Sequence, residues 1–129
     1  MIYVGTDIQL IGKVEKLLKD RGTRFSNHLF TSLEKKYCNS RRYPYMHYAG
    51  KFAAKEAVKK AMLSSNLYSD IPLKNIEILN DESGCPYAKI NNISDDSMVF
   101  KLSISHSSEY AMSVALMFNE THINTEAII

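Results

Sequence analysis

Cysteine is scarce. Cys38 and Cys85 are the only two in 129 residues, they form no CxxC, and nothing near them supplies a second soft ligand. A zinc site is therefore not expected, and both read as ordinary reduced thiols. Five Gly and three Pro are also few, and with 45% hydrophobic and 23% charged residues the composition is globular, not disordered or fibrous. Sixteen Lys and Arg against fourteen Asp and Glu leave a formal net charge of +2, too small an excess for general nucleic-acid or membrane binding. Any anion preference must come from local clustering. No apolar run approaches the roughly 20 residues that span a bilayer. Met1 to Leu10 carries Asp7 among its apolar residues and lacks a basic stretch, so neither a signal peptide nor a membrane anchor is expected, and the cytoplasm is the default.

What is present fits one α+β domain over residues 1–129, with no internal repeat. Ile2, Val4, Thr6 and Ile8 alternate with Tyr3, Gly5 and Asp7, the period of a strand, which puts Gly5 and Asp7 on one face. Val14, Leu17 and Leu18 recur at helical spacing over Ile11 to Arg21, and Gly22 is placed to stop that helix. Thr31 with Glu34 has the spacing of a capping box and predicts a short helix ending near Tyr37 to Ser40. After Pro44 the longest helix runs from Tyr45 to about Leu63, with Met46, Ala49, Phe52, Ala53, Ala57 and Ala61 on one side. Ser64 to Asn75 reads as a loop. Ile76 to Leu79 and Tyr87 to Ile90 make a hairpin around Asp81 to Gly84. Asn91 to Asp96 is a polar break, and two further strands, over Phe100 to Ile104 and Ala111 to Phe118, are joined by a turn at His106 to Glu109. The antiparallel strands thus fall mainly in the second half, and Asn119 to Ile129 reads as a partly frayed tail.

Several residues are poorly explained by folding alone. Glu56 and Lys60 project on the apolar side of the long helix, where a carboxylate must be paired, bound to metal or protonated. An i to i+4 ion pair is the bland alternative. Lys51, Lys55 and Lys59 follow at the same spacing, a row of like charges useful only under an anion. Asp7 is a poor strand former, and Gly5 beside it leaves room for a close approach to the backbone. Two carboxylates beside a lysine row is the composition of a Mg²⁺ and diphosphate site. His106 reads either as a strand-end histidine bonded to its turn or, with Ser105, Ser107 and Ser108, as donors to a phosphate or purine. Arg24 and Phe25, with Lys13 and Lys16, are either solvated charges around one apolar anchor or a docking pair for an acidic partner.

Taken in order, GTDI (Gly5 to Ile8), RF (Arg24, Phe25), AGKFAAKEAVKKA (Ala49 to Ala61), DESGCPY (Asp81 to Tyr87) and LSISHSSEYA (Leu102 to Ala111) resemble the bacterial holo-[acyl-carrier-protein] synthases over nearly the whole chain. The FAAKEA segment followed by Lys60 is the most specific element. The resemblance implies a 4'-phosphopantetheinyl transferase-like domain, an antiparallel sheet packed with a long helix, assembled as a homotrimer with sites at subunit interfaces. It implies that a serine hydroxyl of apo acyl carrier protein attacks the β-phosphate of coenzyme A, releasing 3',5'-ADP and giving the holo carrier for fatty acid synthesis. Asp7, Glu56 and Lys60 would be catalytic, with Asp7 and Glu56 holding Mg²⁺ and Lys60 balancing phosphate charge. Glu56 or a metal-held water would accept the serine proton. Lys51, Lys55, Lys60, Gly84, Pro86, His106 and Ser107 would bind coenzyme A, and Lys13, Arg24 and Phe25 would face the acidic carrier.

The chain departs from that pattern at Lys51 and Lys13, where arginine is common, at Leu10, where an acidic residue is frequent, and at Leu63 to Asn66, which replaces a glycine-rich turn. These changes touch affinity and loop shape more than chemistry. A catalytically silent trimer that binds coenzyme A or a carrier protein is the alternative from another class. A small nucleic-acid-binding domain is disfavoured, because the charge is nearly balanced and aromatics do not interleave with basic residues.

Overall fold

The computed structural model describes residues 1–93 and 97–120. Strand β1 (Ile2–Leu10) leads directly into helix α1 (Ile11–Leu29), followed by α2 (Ser32–Asn39) and α3 (Pro44–Ser64). After a short 3-10 turn at Leu73–Asn75 come the hairpin β2 (Ile76–Asn80) and β3 (Pro86–Ile90), then β4 (Met98–His106) and β5 (Tyr110–Asn119). Sheet order is β1-β5-β4, antiparallel throughout, with β2 and β3 paired separately. The expected α+β architecture, its hairpin and its long helix are all observed. Among the described residues no helix is long and apolar enough to cross a membrane.

Helix α3 is the centre of the molecule, and its sequence explains why. Ala49, Ala53, Ala57 and Ala61 recur every fourth residue and are fully buried, a ridge low enough for a sheet to come close. Facing them, the inner rows of the sheet run Gly5, Ala115, Leu102 and Asp7, Ser113, Ile104. At Gly5 the strand lies against the helix backbone: a Cβ there would stand 1.8 Å from the Ala57 carbonyl oxygen. The room left by Gly5 is therefore filled by the protein's own helix. The sequence assigns α3 one apolar side, yet Lys51, Lys55, Val58 and Met62 on its far side are also buried, beneath α2 and the β2 strand.

Two further elements differ from expectation. Helix α1 does break at Gly22, whose φ of 70° and ψ of −161° are not helical, but it resumes and continues to Leu29. Phe25, Leu29 and Phe30 give this second piece its own anchor against Val14, Tyr48 and Ala49, so packing carries the chain past the glycine. In β1 the alternation is inverted relative to the core. The side holding Gly5 and Asp7 faces α3, while Ile2, Val4 and Ile8 are 66%, 55% and 62% exposed. Tyr110, Met112, Val114 and Leu116 of β5 continue this apolar outer face.

The capping box before α2 forms as read: Thr31 Oγ1 accepts the Glu34 amide at 3.3 Å and Glu34 Oε1 accepts the Thr31 amide at 2.8 Å. Of the expected frayed tail, Asn119 is the last residue of β5 and the Glu120 amide donates to Ser97 O at 3.3 Å. Residues 121–129 lie outside the described residues, as do 94–96 of the expected polar break.

Candidate active site

Asp7 and Glu56, distant in sequence, come together where β1 crosses α3. Asp7 sits on the inner face of β1, opposite Ser113. Its Oδ2 accepts from Gln9 Nε2 at 2.7 Å, and its Oδ1 lies 3.3 Å from Lys60 Nζ. Lys60 also donates to Thr6 O at 2.9 Å. Lys60 thus ties the helix to the strand, and the ion pair it makes is with Asp7 rather than along its own helix. Glu56, one turn earlier, is half-buried. Its burial, then the Asp7 charge, raise its carboxyl above the usual range, against the pull of Lys59 and Lys60. The Asp7 charge set against Glu56 suits a cation placed between the two. Thr6, Asp7, Ile8, Lys60 and Met112 line a cavity of about 250 Å³ at this point.

Both carboxylates are hard oxygen donors, the ligands Mg²⁺ takes, and that ion commonly uses only one or two protein carboxylates. Among the described residues no group of three or more His, Cys, Asp or Glu is placed to hold a metal, and at this junction the hard donors are the Asp7 and Glu56 carboxylates. The residues fit a magnesium ion completed by phosphate and water.

A second cavity, of about 230 Å³, lies nearer the start of α3 and gathers Lys51, Gly84, Pro86 and His106 from three separate segments. His106 ends β4 and stacks over the bare Cα of Gly50, where a Cβ would meet its Nε2 at 2.8 Å. Burial lowers its imidazole below the ordinary value. Lys51 Nζ donates to Ile78 O at 2.6 Å and Asn80 Oδ1 at 2.7 Å, fastening the hairpin to the helix. Asp81 forms the expected hairpin turn, its Oδ1 accepting from the Ser83 and Cys85 amides, each at 2.9 Å.

Two of the sequence readings need correction, and Ser107 sits apart from the second cavity. The lysine row is not an open anion platform. Lys55 is fully buried, ion-paired with Glu34 at 2.8 Å and donating to Leu73 O and Ile76 O at 3.1 and 2.7 Å. With all three ammonium protons engaged it is a pillar of the fold, not a coenzyme A ligand. Lys59 pairs with Asp70 at 2.9 Å. Ser107 lines a different cavity, of about 470 Å³ beside Arg42 and Tyr43, and its Oγ accepts from the Glu109 and Tyr110 amides at 3.3 and 3.0 Å. That hydroxyl closes the β4–β5 turn. Lys13 and Arg24 are exposed on α1 as expected, but Phe25 is half-buried in the core packing, and the guanidinium over its ring, at 5.6 Å, belongs to Arg21.

Sequence reasoning also missed His47, Tyr37 and Asn80 in the second cavity. The signal for His47 was available, since it stands four residues before Lys51 and so shares its helix face. Tyr37 and Asn80 reach the cavity only through tertiary packing.

Comparison with known proteins places the chain in a family. The model of the 4'-phosphopantetheinyl transferase superfamily matches residues 3–115. A holo-[acyl-carrier-protein] synthase of Protochlamydia amoebophila is 40% identical over 116 residues, 88% of this chain and 94% of the relative. Among solved structures, the ACPS–CoA complex of Chronobacterium ammoniagenes superposes with a TM-score of 0.80 at 26% identity, covering 93% of this chain and 98% of that one. A holo-(acyl-carrier-protein) synthase from Bacillus anthracis in complex with CoA (3',5'-ADP) gives 0.72 at 29% identity, covering 89% and 94%. By sequence and by fold, then, this chain belongs to the 4'-phosphopantetheinyl transferase superfamily, among its holo-[acyl-carrier-protein] synthases.

Proposed function

We propose that the chain transfers 4'-phosphopantetheine from coenzyme A to a serine hydroxyl of apo acyl carrier protein, releasing 3',5'-ADP, with Asp7, Glu56 and Lys60 at the reacting phosphate. The observation that carries this is the convergence of two carboxylates and one ammonium across the β1–α3 junction. Asp7 and Glu56 would hold Mg²⁺, which when bound would supply Lewis-acid polarisation of the diphosphate. Lys60, fixed on Thr6 O and Asp7, offers its ammonium to the charge that gathers on the phosphate as the P–O bond to the departing 3',5'-ADP breaks. The serine proton leaves toward the carboxylate pair, to Glu56 itself or to a water held there. Gly84, Pro86, Lys51 and His106 bind coenzyme A through the second cavity, and Lys13 and Arg24 meet the acidic carrier.

The same reading makes the molecule a homotrimer. Its support is the outer sheet face, where Ile2, Val4 and Ile8 adjoin Tyr110, Met112 and Leu116 in open solvent, a contiguous apolar face of the kind that marks an interaction site. Two further copies cover it, and Asp7, on the strand between this face and α3, lies beside the interface.

Intact mass of apo acyl carrier protein after incubation with this protein, coenzyme A and Mg²⁺ tests the proposal. A gain of one phosphopantetheine that EDTA abolishes is expected. No gain on several carrier proteins, from a trimer that still binds coenzyme A, would leave a silent binding protein instead.

A further inference from the structure

We propose that His47 joins His106 as a paired-imidazole anion site that grips a phosphate of coenzyme A and takes up a proton in doing so. This rests on the reading above that the second cavity receives coenzyme A. His47 lies on α3 with its ring edge-on to His106 at 5.9 Å between centroids, and edge-on to Tyr37 of α2 at 5.8 Å. The lining is completed by Gly50, Lys51, Asn80, Gly84, Pro86 and Ile104. It holds one ammonium and two imidazoles but no carboxylate; Asp81 and Glu82 of the neighbouring turn are not among the lining residues.

The fixed cation is Lys51, which uses protons on Ile78 O and Asn80 Oδ1 and carries its Nζ 4.5 Å from the Tyr37 ring centre. Asn80 is itself locked, its Nδ2 donating to Gly84 O at 3.1 Å, so the cavity wall is preorganised. A volume of about 230 Å³ is below the roughly 300–1,000 Å³ of sites for drug-sized ligands. It fits a phosphate group, with the rest of the nucleotide outside.

Charge supplies the linkage. Burial lowers the His47 imidazole first, and the groups that lower it further, His106, Arg41 and Lys51, are all cationic or able to become so. Tyr37 completes the titratable groups facing it, and burial lowers His106 as well. Both rings are therefore neutral near pH 7 in the free protein, in a cavity short of negative charge. A phosphate dianion reverses the balance and raises both rings, so binding takes up protons, strengthens as pH falls, and weakens as pH rises through the bound-state values. The phosphate's own ionisation at about pH 6 runs the other way and is common to every variant.

Calorimetry of coenzyme A binding to the full chain, in buffers of different ionisation heat near neutral pH, measures this directly. The wild type is expected to take up a substantial fraction of a proton, with affinity changing by up to about tenfold per pH unit per proton. His47→Phe is expected to bind coenzyme A with at most half that uptake and a flatter pH profile. 3'-Dephospho-coenzyme A separates the sources: lost uptake assigns the anion to the 3'-phosphate, and retained uptake assigns it to the diphosphate. Equal uptake by His47→Phe and wild type overturns the proposal while leaving the transferase reading intact. Failure of the wild type to bind coenzyme A overturns both. Should His47→Phe misfold, imidazole proton resonances of the wild type decide the matter: the His47 titration moves upward on adding coenzyme A, and an unmoved titration refutes the site.

Discussion

Replacing Gly5 by alanine forces a methyl group into the backbone of α3. The new Cβ would stand 1.8 Å from Ala57 O and 2.8 Å from Ala61 N. These are backbone atoms of a central helix, with no side chain that could swing aside. Overpacking a core costs about 1–3 kcal/mol and occasionally more, and with main chain on both sides the cost lies at the top of that range, about 3 kcal/mol. At about 2.1 cal/mol/K of unfolding entropy per residue, 129 residues give about 0.27 kcal/mol/K, so the melting temperature falls by about 11 °C. Relief requires β1 to lift from α3, which carries Asp7 away from Glu56 and Lys60. A shift of about 1 Å there can lower transfer by on the order of 100-fold. Calorimetric melting at fixed protein concentration, with transfer assayed well below the melting point, reads both effects. Gly12→Ala is the control, since nothing lies within 4 Å of its added Cβ and a helical site gains about 0.5–1 kcal/mol from the change. A Gly5→Ala protein melting within about 2 °C of wild type would refute the close-packing argument.

Other consequences follow from buried charge and burial itself. Glu34→Ala strands the Lys55 ammonium in the core and is expected to cost about 3–5 kcal/mol in denaturant unfolding, whereas Glu34→Leu with Lys55→Met costs much less than the two single changes summed; an Ala variant as stable as wild type would contradict the pairing. Thiol titration of the native protein should find Cys85 alone, because Cys38 is fully buried and its thiol is pushed up to about 12, with both reacting after unfolding. Because His47 and His106 are lowered in the folded state, the unfolded chain binds protons more readily: stability is undiminished above about pH 6.5 and falls as pH drops through the lowered folded values. The melting temperature of His47→Phe should therefore decline less than that of wild type from about pH 7 to about pH 5, and parallel declines would refute the assignment.

Local chemistry was legible in the chain: the Thr31 and Glu34 capping box, the Asp81 turn and the period-two strands all form where their spacing puts them. Asp7, Glu56 and Lys60 stood out as well, because a carboxylate on an apolar face and an aspartate in a strand each demand a partner, and the fold brings the three to one junction. What stayed hidden depends on contacts between distant segments. Lys55 looks like a free cation until Glu34 and the carbonyls of Leu73 and Ile76 close on it. The far side of α3 could not be recognised as buried, since the lysines that signal solvent in sequence find their partners on distant segments, Lys55 on Glu34 and Lys51 on Ile78 O and Asn80. Gly5 suggested room for a ligand because a missing side chain does not say what comes close. The outward apolar face of β1 escaped notice because alternation marks two faces without telling which is covered.

The claim that Asp7 and Glu56 share one cation is tested most directly by metal binding, apart from any turnover. Manganese(II) as a stand-in for Mg²⁺, titrated into the protein with coenzyme A and followed by the loss of its free-ion paramagnetic resonance signal, reports occupancy of the site. One ion per chain is expected, with binding abolished in both Asp7→Asn and Glu56→Gln while coenzyme A still binds. Undiminished manganese binding in either variant would contradict it.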